Sequence, residues 1–182
     1  MSETWVVVPT RLPLVLRRCR TCACERFRTD GKFRVDAHHK LIDAWLLALC
    51  TTCGAATGLT VLERVNVRSV RPELLDLLHG NDPGLAAELL QDPVVRRRNH
   101  IALDWDAAWR LDTGAPHRPR GEAIEVSVRF AARIPVRPVR LIAEGLGLSR
   151  AEVEGLLAEG NLVSAVRLGG KPTGDFTFTL KR

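Results

Sequence analysis

The stretch "CRTCAC", residues 19–24, places three cysteines in six positions, and "CTTC", residues 50–53, answers it. Cys19-x-x-Cys22 and Cys50-x-x-Cys53 share one spacing and are separated by 27 residues. A two-residue spacer lets the backbone turn tightly while both thiolates face one ion. Two such knuckles supply the four sulfurs of a tetrahedral zinc site. The pattern assigns Zn(2+) to Cys19, Cys22, Cys50 and Cys53. A redox C-x-x-C needs only one pair, at a strand-to-helix junction. Four thiolates close the site and leave no position for water, so the metal is expected to be structural and not catalytic. Cys24 is the leftover of five cysteines. Pairing it with Cys22 would leave one residue between ligands, so it is expected to be a packed or lightly exposed free thiol. His38 and His39 also lie between the knuckles, but four thiolates already complete the site.

The flanking segments read as strands. "KFRVDAH" alternates apolar and polar residues, "KLIDAWLLALC" runs into the second knuckle, and "TGLTVLERVNV" alternates after it. Knuckle, strands, knuckle, strand is the order of a zinc ribbon. The long gap predicts one extra hairpin, with its turn near "TDGK", residues 29–32.

Prolines punctuate the middle of the chain. Pro72 precedes "ELLDLLHG", Asp82-Pro83 precedes "GLAAELLQ", and Asp92-Pro93 precedes "VVRRRNHIAL". Proline at the first helical position with aspartate as N-cap predicts three short helices in succession. Arg96, Arg97 and Arg98 form the densest basic run, read either as a phosphate patch or as a solvated face. On a helix such a run points in three directions, so at least one arginine should face inward or meet an acid. Trp105 and Trp109, four apart in "DWDAAWRLD", would share one face of a helix.

"TGAPHRPRG", residues 113–121, is rich in turn formers and is expected to be a linker. Beyond it, "EAIEVSVRFAA" alternates as a strand. A helix carrying Val139, Ile142 and Leu146 ends at Gly147. A second opens with the Ser149-x-x-Glu152 capping box and ends at Gly160. "NLVSAVRL" and "GDFTFTL" then predict a hairpin, giving an α-α-β-β order. The fold class expected is α+β, with a β-rich zinc-ribbon domain over 1–71, a helical segment over 72–112, the linker, and a C-terminal domain over 122–182.

This last segment resembles the S-four-type RNA-binding domain. The residues carrying the resemblance are Arg140, Leu141, Gly147, Ser149, Arg150, Gly160, Gly174 and Asp175, over about fifty residues. The resemblance implies that paired helices dock on structured RNA, with basic residues on phosphates. "IAEGLGLSRAEV" also resembles a DNA-binding helix-turn-helix, with Ala143, Gly147 and Val153 at its packing positions. The chain as a whole resembles an uncharacterised bacterial zinc-ribbon family, domain-of-unknown-function family 1062, through "WVVVPT", both knuckles, "KFRVDAHHKLIDAWLLALC" and "ERVNV". That resemblance implies the same knuckle assignment, with Cys24 outside it.

The net charge is +6, and residues 1–71 carry 12 basic against 6 acidic groups. Basic segments attract polyanions such as nucleic acid. Arginine outnumbers lysine 23 to 4, a bias that GC-rich coding alone would also produce. No signal peptide or span-length apolar run is evident, so no membrane association and a cytoplasmic location are expected. Disulfides are rare in that compartment. The expected function is a nonenzymatic, zinc-containing nucleic-acid-binding protein acting on structured RNA or the ribosome, with contacts at Arg137, Arg140, Arg150, Arg96, Arg97 and Arg98. The run from 126 to 143 holds Arg129, Arg133, Arg137 and Arg140 and no acid. Alternatives are a DNA-binding transcriptional regulator and a zinc-ribbon protein-interaction adaptor.

Overall fold

A computed structural model describes residues 2–114, 123–164, 166–170 and 174–181. These residues form five α-helices and eleven strands in two sheets, a mixed α+β architecture. They fall into two compact units, Met1–Arg11 with Trp105–Arg182, and Leu12–Asp104. The first strand, β1 (Ser2–Pro9), belongs to the first of these, and the four paired-knuckle cysteines to the second.

In the unit Leu12–Asp104, β2 (Leu14–Leu16), β3 (Arg26–Arg28), β4 (Phe33–His38), β5 (Leu41–Cys50), β6 (Ala56–Asn66) and β7 (Ala102–Asp104) make one antiparallel sheet. Strand β5 is its spine. One edge pairs with β6, and the other with β4 along its first half and β3 at its end. Alternate residues of β5 are buried, Ile42 through Cys50, as the period of two requires.

The expected hairpin turn at 29–32 is not a hairpin. Strands β3 and β4 both lie along β5, and residues 29–32 only step between them. The tight turn is at His39–Lys40, where His38 faces Leu41 and His39 takes φ 54°. That turn lacks the glycine or asparagine that normally marks a left-handed position.

Three helices follow as their prolines predict: α1 (Pro72–His79), α2 (Pro83–Gln91) and α3 (Pro93–Asn99). Asp82 accepts from the Leu85 N–H at 2.7 Å and Asp92 from the Val94 N–H at 2.6 Å. These bonds satisfy donors that helix geometry leaves open. Leu78, Leu85, Ala86 and Leu90 are buried in the same core as Leu46, Leu59, Cys19 and Cys50. The division expected at residue 71 therefore differs from the observed unit Leu12–Asp104, because the helices bury their apolar faces in the same core as the sheet.

The "RRRN" run has a structural job at one end. Asn99 is 7% exposed; its Oδ1 accepts from the Thr60 N–H at 2.7 Å, and its Nδ2 donates to the carbonyls of Thr60 and Val95. Arg98 Nη1 donates to the Val61 carbonyl at 3.3 Å. Both side chains thus bond the backbone of β6 where its register with β5 shifts, between Thr60 and Leu62.

The other unit holds a sheet ordered β10-β11-β9-β1-β8, with β8 (Trp109–Asp112), β9 (Ile124–Phe130), β10 (Leu162–Ser164) and β11 (Phe176–Leu180). Strand β1 is internal, antiparallel to β8 and parallel to β9. Helices α4 (Pro138–Leu146) and α5 (Arg150–Ala158) precede β10 and β11. Gly147 ends α4 at φ 67°, and both hydrogen bonds of the Ser149–Glu152 capping box form. The Ser149 backbone N–H and hydroxyl hold the Glu152 carboxyl below its ordinary 4.5.

Trp105 and Trp109 do not share a helix. Trp105 is buried in a turn, and Trp109 opens β8. The expected linker at 113–121 lies outside the described residues from 115 onward. No described helix is long and apolar enough to cross a membrane.

Candidate metal centre and basic pocket

The first knuckle joins β2 to β3, and the second closes the β5–β6 hairpin. They repeat one hydrogen-bond pattern. The Cys19 N–H donates to the Cys24 carbonyl at 2.7 Å and the Ala23 N–H to the Cys19 carbonyl at 3.0 Å; Cys50 with Ala55 and Gly54 with Cys50 do the same at 2.9 and 3.0 Å. The residue after each second cysteine has positive φ, 60° at Ala23 and 73° at Gly54. Each knuckle thus turns its two sulfurs to one side. Cys24 stands where the second knuckle has Ala55.

The four sulfurs converge. Cys19 Sγ lies 3.7 Å from Cys53 Sγ, and Cys22 Sγ 3.6 Å from Cys50 Sγ; all four lie within 4.8 Å of one another. A tetrahedron with metal–sulfur bonds near 2.3 Å has sulfurs about 3.8 Å apart. Disulfide sulfurs would be near 2.05 Å, and none of the cysteines is bridged. Cys19 and Cys50 are buried, while Cys22 and Cys53 are exposed. The group can hold a metal ion, and its donor set is that of a soft or borderline cation.

The thiols are electrostatically unequal. Backbone N–H groups of Cys22 and Thr21 hold the Cys19 thiol down to about 6, the latter at 3.4 Å from the sulfur. At Cys22, the Cys24 backbone N–H favours the thiolate. Burial and the sulfurs of Cys53, Cys50 and Cys19 outweigh it and push the thiol up to about 12. At Cys53 the Ala55 backbone N–H acts the same way. It too is outweighed, by burial and by the sulfurs of Cys50 and Cys19, and the thiol is raised. Neighbouring thiolates repel until a cation neutralises them. Cys24 lies outside the sulfur group. Its thiol is lowered to about 7 by the hydroxyls of Thr52 and Thr51, then by the Arg26 backbone.

The six arginines named from the sequence separate into two groups. Arg96 is half-buried, with its Nε unpartnered among the described residues. Arg97 is exposed, and Arg98 is fastened to β6. By contrast, Arg137, Arg140 and Arg150 line one cavity of about 230 Å³ with Asp106, Trp109, Pro135 and Val136. Arg140 is anchored there. Its Nη1 donates to Asp106 Oδ1 at 3.0 Å, its Nη2 to the Asp106 carbonyl at 2.9 Å, and its guanidinium sits 5.3 Å from the Trp109 ring centre. Arg137 and Arg150 are exposed and make no side-chain hydrogen bond or ion pair among the described residues. Asp106 and Trp109 were missed as members of this site. The available signal was the period-two pattern of "WRLD", which belongs to a strand and not to a helix.

The family model described as "Protein of unknown function (DUF1062)" matches residues 35–168. The match takes in Cys50, Cys53 and all five helices; "WVVVPT" and the first knuckle precede it. No curated protein and no solved structure matches the chain.

Proposed function

We propose that this chain, which belongs to the DUF1062 family, is a nonenzymatic zinc protein that binds structured RNA or the ribosome. The observation that carries this reading is the gathering of Arg137, Arg140 and Arg150 around one cavity beside Trp109. Guanidinium groups next to an aromatic ring suit phosphate and base together. The order α4-α5-β10-β11 supports an S-four-like assignment of this unit. The exposed glutamates of α5 do not oppose it at Glu152, whose carboxylate is turned back onto Ser149 at 2.7 Å.

Zinc is the metal this reading places at the four cysteines, within a zinc-ribbon fold. Four thiolates complete a tetrahedron and leave no open position for water, which fits a structural centre. Its chemistry there is to fasten the β2–β3 loop to the β5–β6 turn. A zinc-ribbon adaptor is the second reading. It is favoured by the hollow over Trp45 and Leu47, where Arg34 lies 5.9 Å from the Trp45 ring centre and pairs with Asp36. A DNA-binding regulator would present α5 and its C-terminal cap, with Glu152, Glu154 and Glu159, to a polyanion. Crosslinking in cells, sequencing of bound nucleic acid and ribosome sedimentation test these readings together. Recovery of structured or ribosomal RNA is expected. Discrete DNA sites would select the regulator, and no nucleic acid at all would leave the adaptor.

A further inference from the structure

Resting on the RNA reading above, we infer that the cavity formed by Arg137, Arg140, Arg150 and Trp109 is a phosphomonoester site. It would take the terminal phosphate of an RNA, or of a free nucleotide, in preference to a backbone phosphodiester. Charge favours the monoester. Among the described residues, three guanidinium groups and one carboxylate, that of Asp106, line the cavity, a balance of two positive charges. A phosphomonoester carries close to two negative charges at neutral pH, with a second pKa near 6. A backbone phosphodiester carries one. Only the monoester neutralises the cavity.

Size points the same way. About 230 Å³ lies below the roughly 300–1,000 Å³ of sites that swallow a whole drug-sized ligand. The space suits one phosphate and the sugar next to it, not a length of duplex. The three arginines also have distinct parts. Arg140 is already fixed by two hydrogen bonds to Asp106 and by the Trp109 ring, so its guanidinium plane is set before any ligand arrives. Arg137 and Arg150 have no partner to give up among the described residues, so their N–H groups are available for charge-assisted bonds. A monoester offers three terminal oxygens to these two donors, where a diester offers two.

The test uses the purified full chain and two short single-stranded RNAs of one sequence, one 5′-phosphorylated and one 5′-hydroxyl. Affinity is measured by fluorescence anisotropy. In parallel, the arginine Nε–H NMR signals are followed while AMP or inorganic phosphate is added. The 5′-phosphorylated RNA is expected to bind at least about tenfold tighter, the least that one further hydrogen bond to a charged group supplies. The preference should vanish in R137A/R150A, whose exposed positions leave the melting temperature unchanged. Equal affinity for the two RNAs would overturn the phosphomonoester site while leaving RNA binding intact. A response of the arginine signals to AMP or phosphate with neither RNA bound would support the site and overturn the RNA reading. No response to any of these probes would overturn both. The NMR arm is read on the unsubstituted chain, so it decides even if the double variant fails to fold.

Discussion

Gly145 of α4 lies directly against the indole of Trp5: a Cβ at this position would overlap the Cζ3 and Cη2 atoms of the ring. The close approach seats Trp5, 2% exposed, edge-on to Phe178 at 5.3 Å. In an ordinary helix interior Gly→Ala stabilises by up to about 1 kcal/mol. Here overpacking should reverse the sign. Gly145→Ala is expected to destabilise the protein by about 1–3 kcal/mol in a denaturant titration. A neutral or stabilised variant would show that Trp5 can move aside.

Asn99 offers a second test, because two of its three hydrogen bonds hold the Thr60 backbone of β6 and the third ties it to the Val95 carbonyl in α3. Asn99→Ala leaves the half-buried Thr60 N–H and carbonyl, and the buried side of the Val95 carbonyl, without these partners. The expected cost is about 2–4 kcal/mol. Asn99→Asp keeps the acceptor for the Thr60 N–H but sets a carboxylate against two carbonyls, and should be no milder. Arg97→Ala, at an exposed neighbour, should change stability by less than about 0.5 kcal/mol. Thermal or urea unfolding of the three variants separates a structural end of the arginine run from a solvated one.

How far the chain could be read in advance depends on how local each cause is. The caps Asp82, Asp92 and Ser149–Glu152 act within three residues, and all were legible. So were β4 and β6, through their alternation, β5, through its run into the second knuckle, and the sulfur cluster, through its repeated spacing. The pairing of β1 with β9 joins Ser2 to Glu125 and leaves no local trace. The His39–Lys40 turn was hidden because a histidine, not a glycine, takes the positive φ. Trp105 and Trp109 fit a helical spacing of four as well as a turn followed by a strand, and only the sheet decided between them.

The unequal thiols predict how metal binding depends on pH. At pH 7.5 the Cys22 thiol, raised to about 12, and the Cys53 thiol, raised above 9.0, hold their protons; the Cys19 thiol, lowered to about 6, does not. Binding takes thiolates, so a metal must expel at least the protons of Cys22 and Cys53. Affinity should rise with pH across 7–8 by a factor of at least about a hundred per unit, and fall more steeply below pH 6, where Cys19 also gains a proton. Calorimetry in buffers of different ionisation enthalpy counts the protons released. Release of fewer than two at pH 7.5 would contradict this order of thiols.

Cys24 supplies an internal control. It is half-buried, with its sulfur 3.6 Å from Thr51 Oγ1 and outside the four-sulfur group. Cys24→Ser should keep full metal content and a nearly unchanged melting temperature, whereas Cys50→Ser should lose the metal and open the knuckles.

The four sulfurs are tested most directly by elemental analysis of the purified chain. One zinc per chain is expected, kept in Cys24→Ser and lost in Cys19→Ser or Cys50→Ser. Because structural zinc contributes on the order of 10–16 kcal/mol in small peptides, its removal by a chelator should unfold the unit Leu12–Asp104. A chain that carries no zinc, or that loses it only when Cys24 is replaced, would contradict the account at its centre.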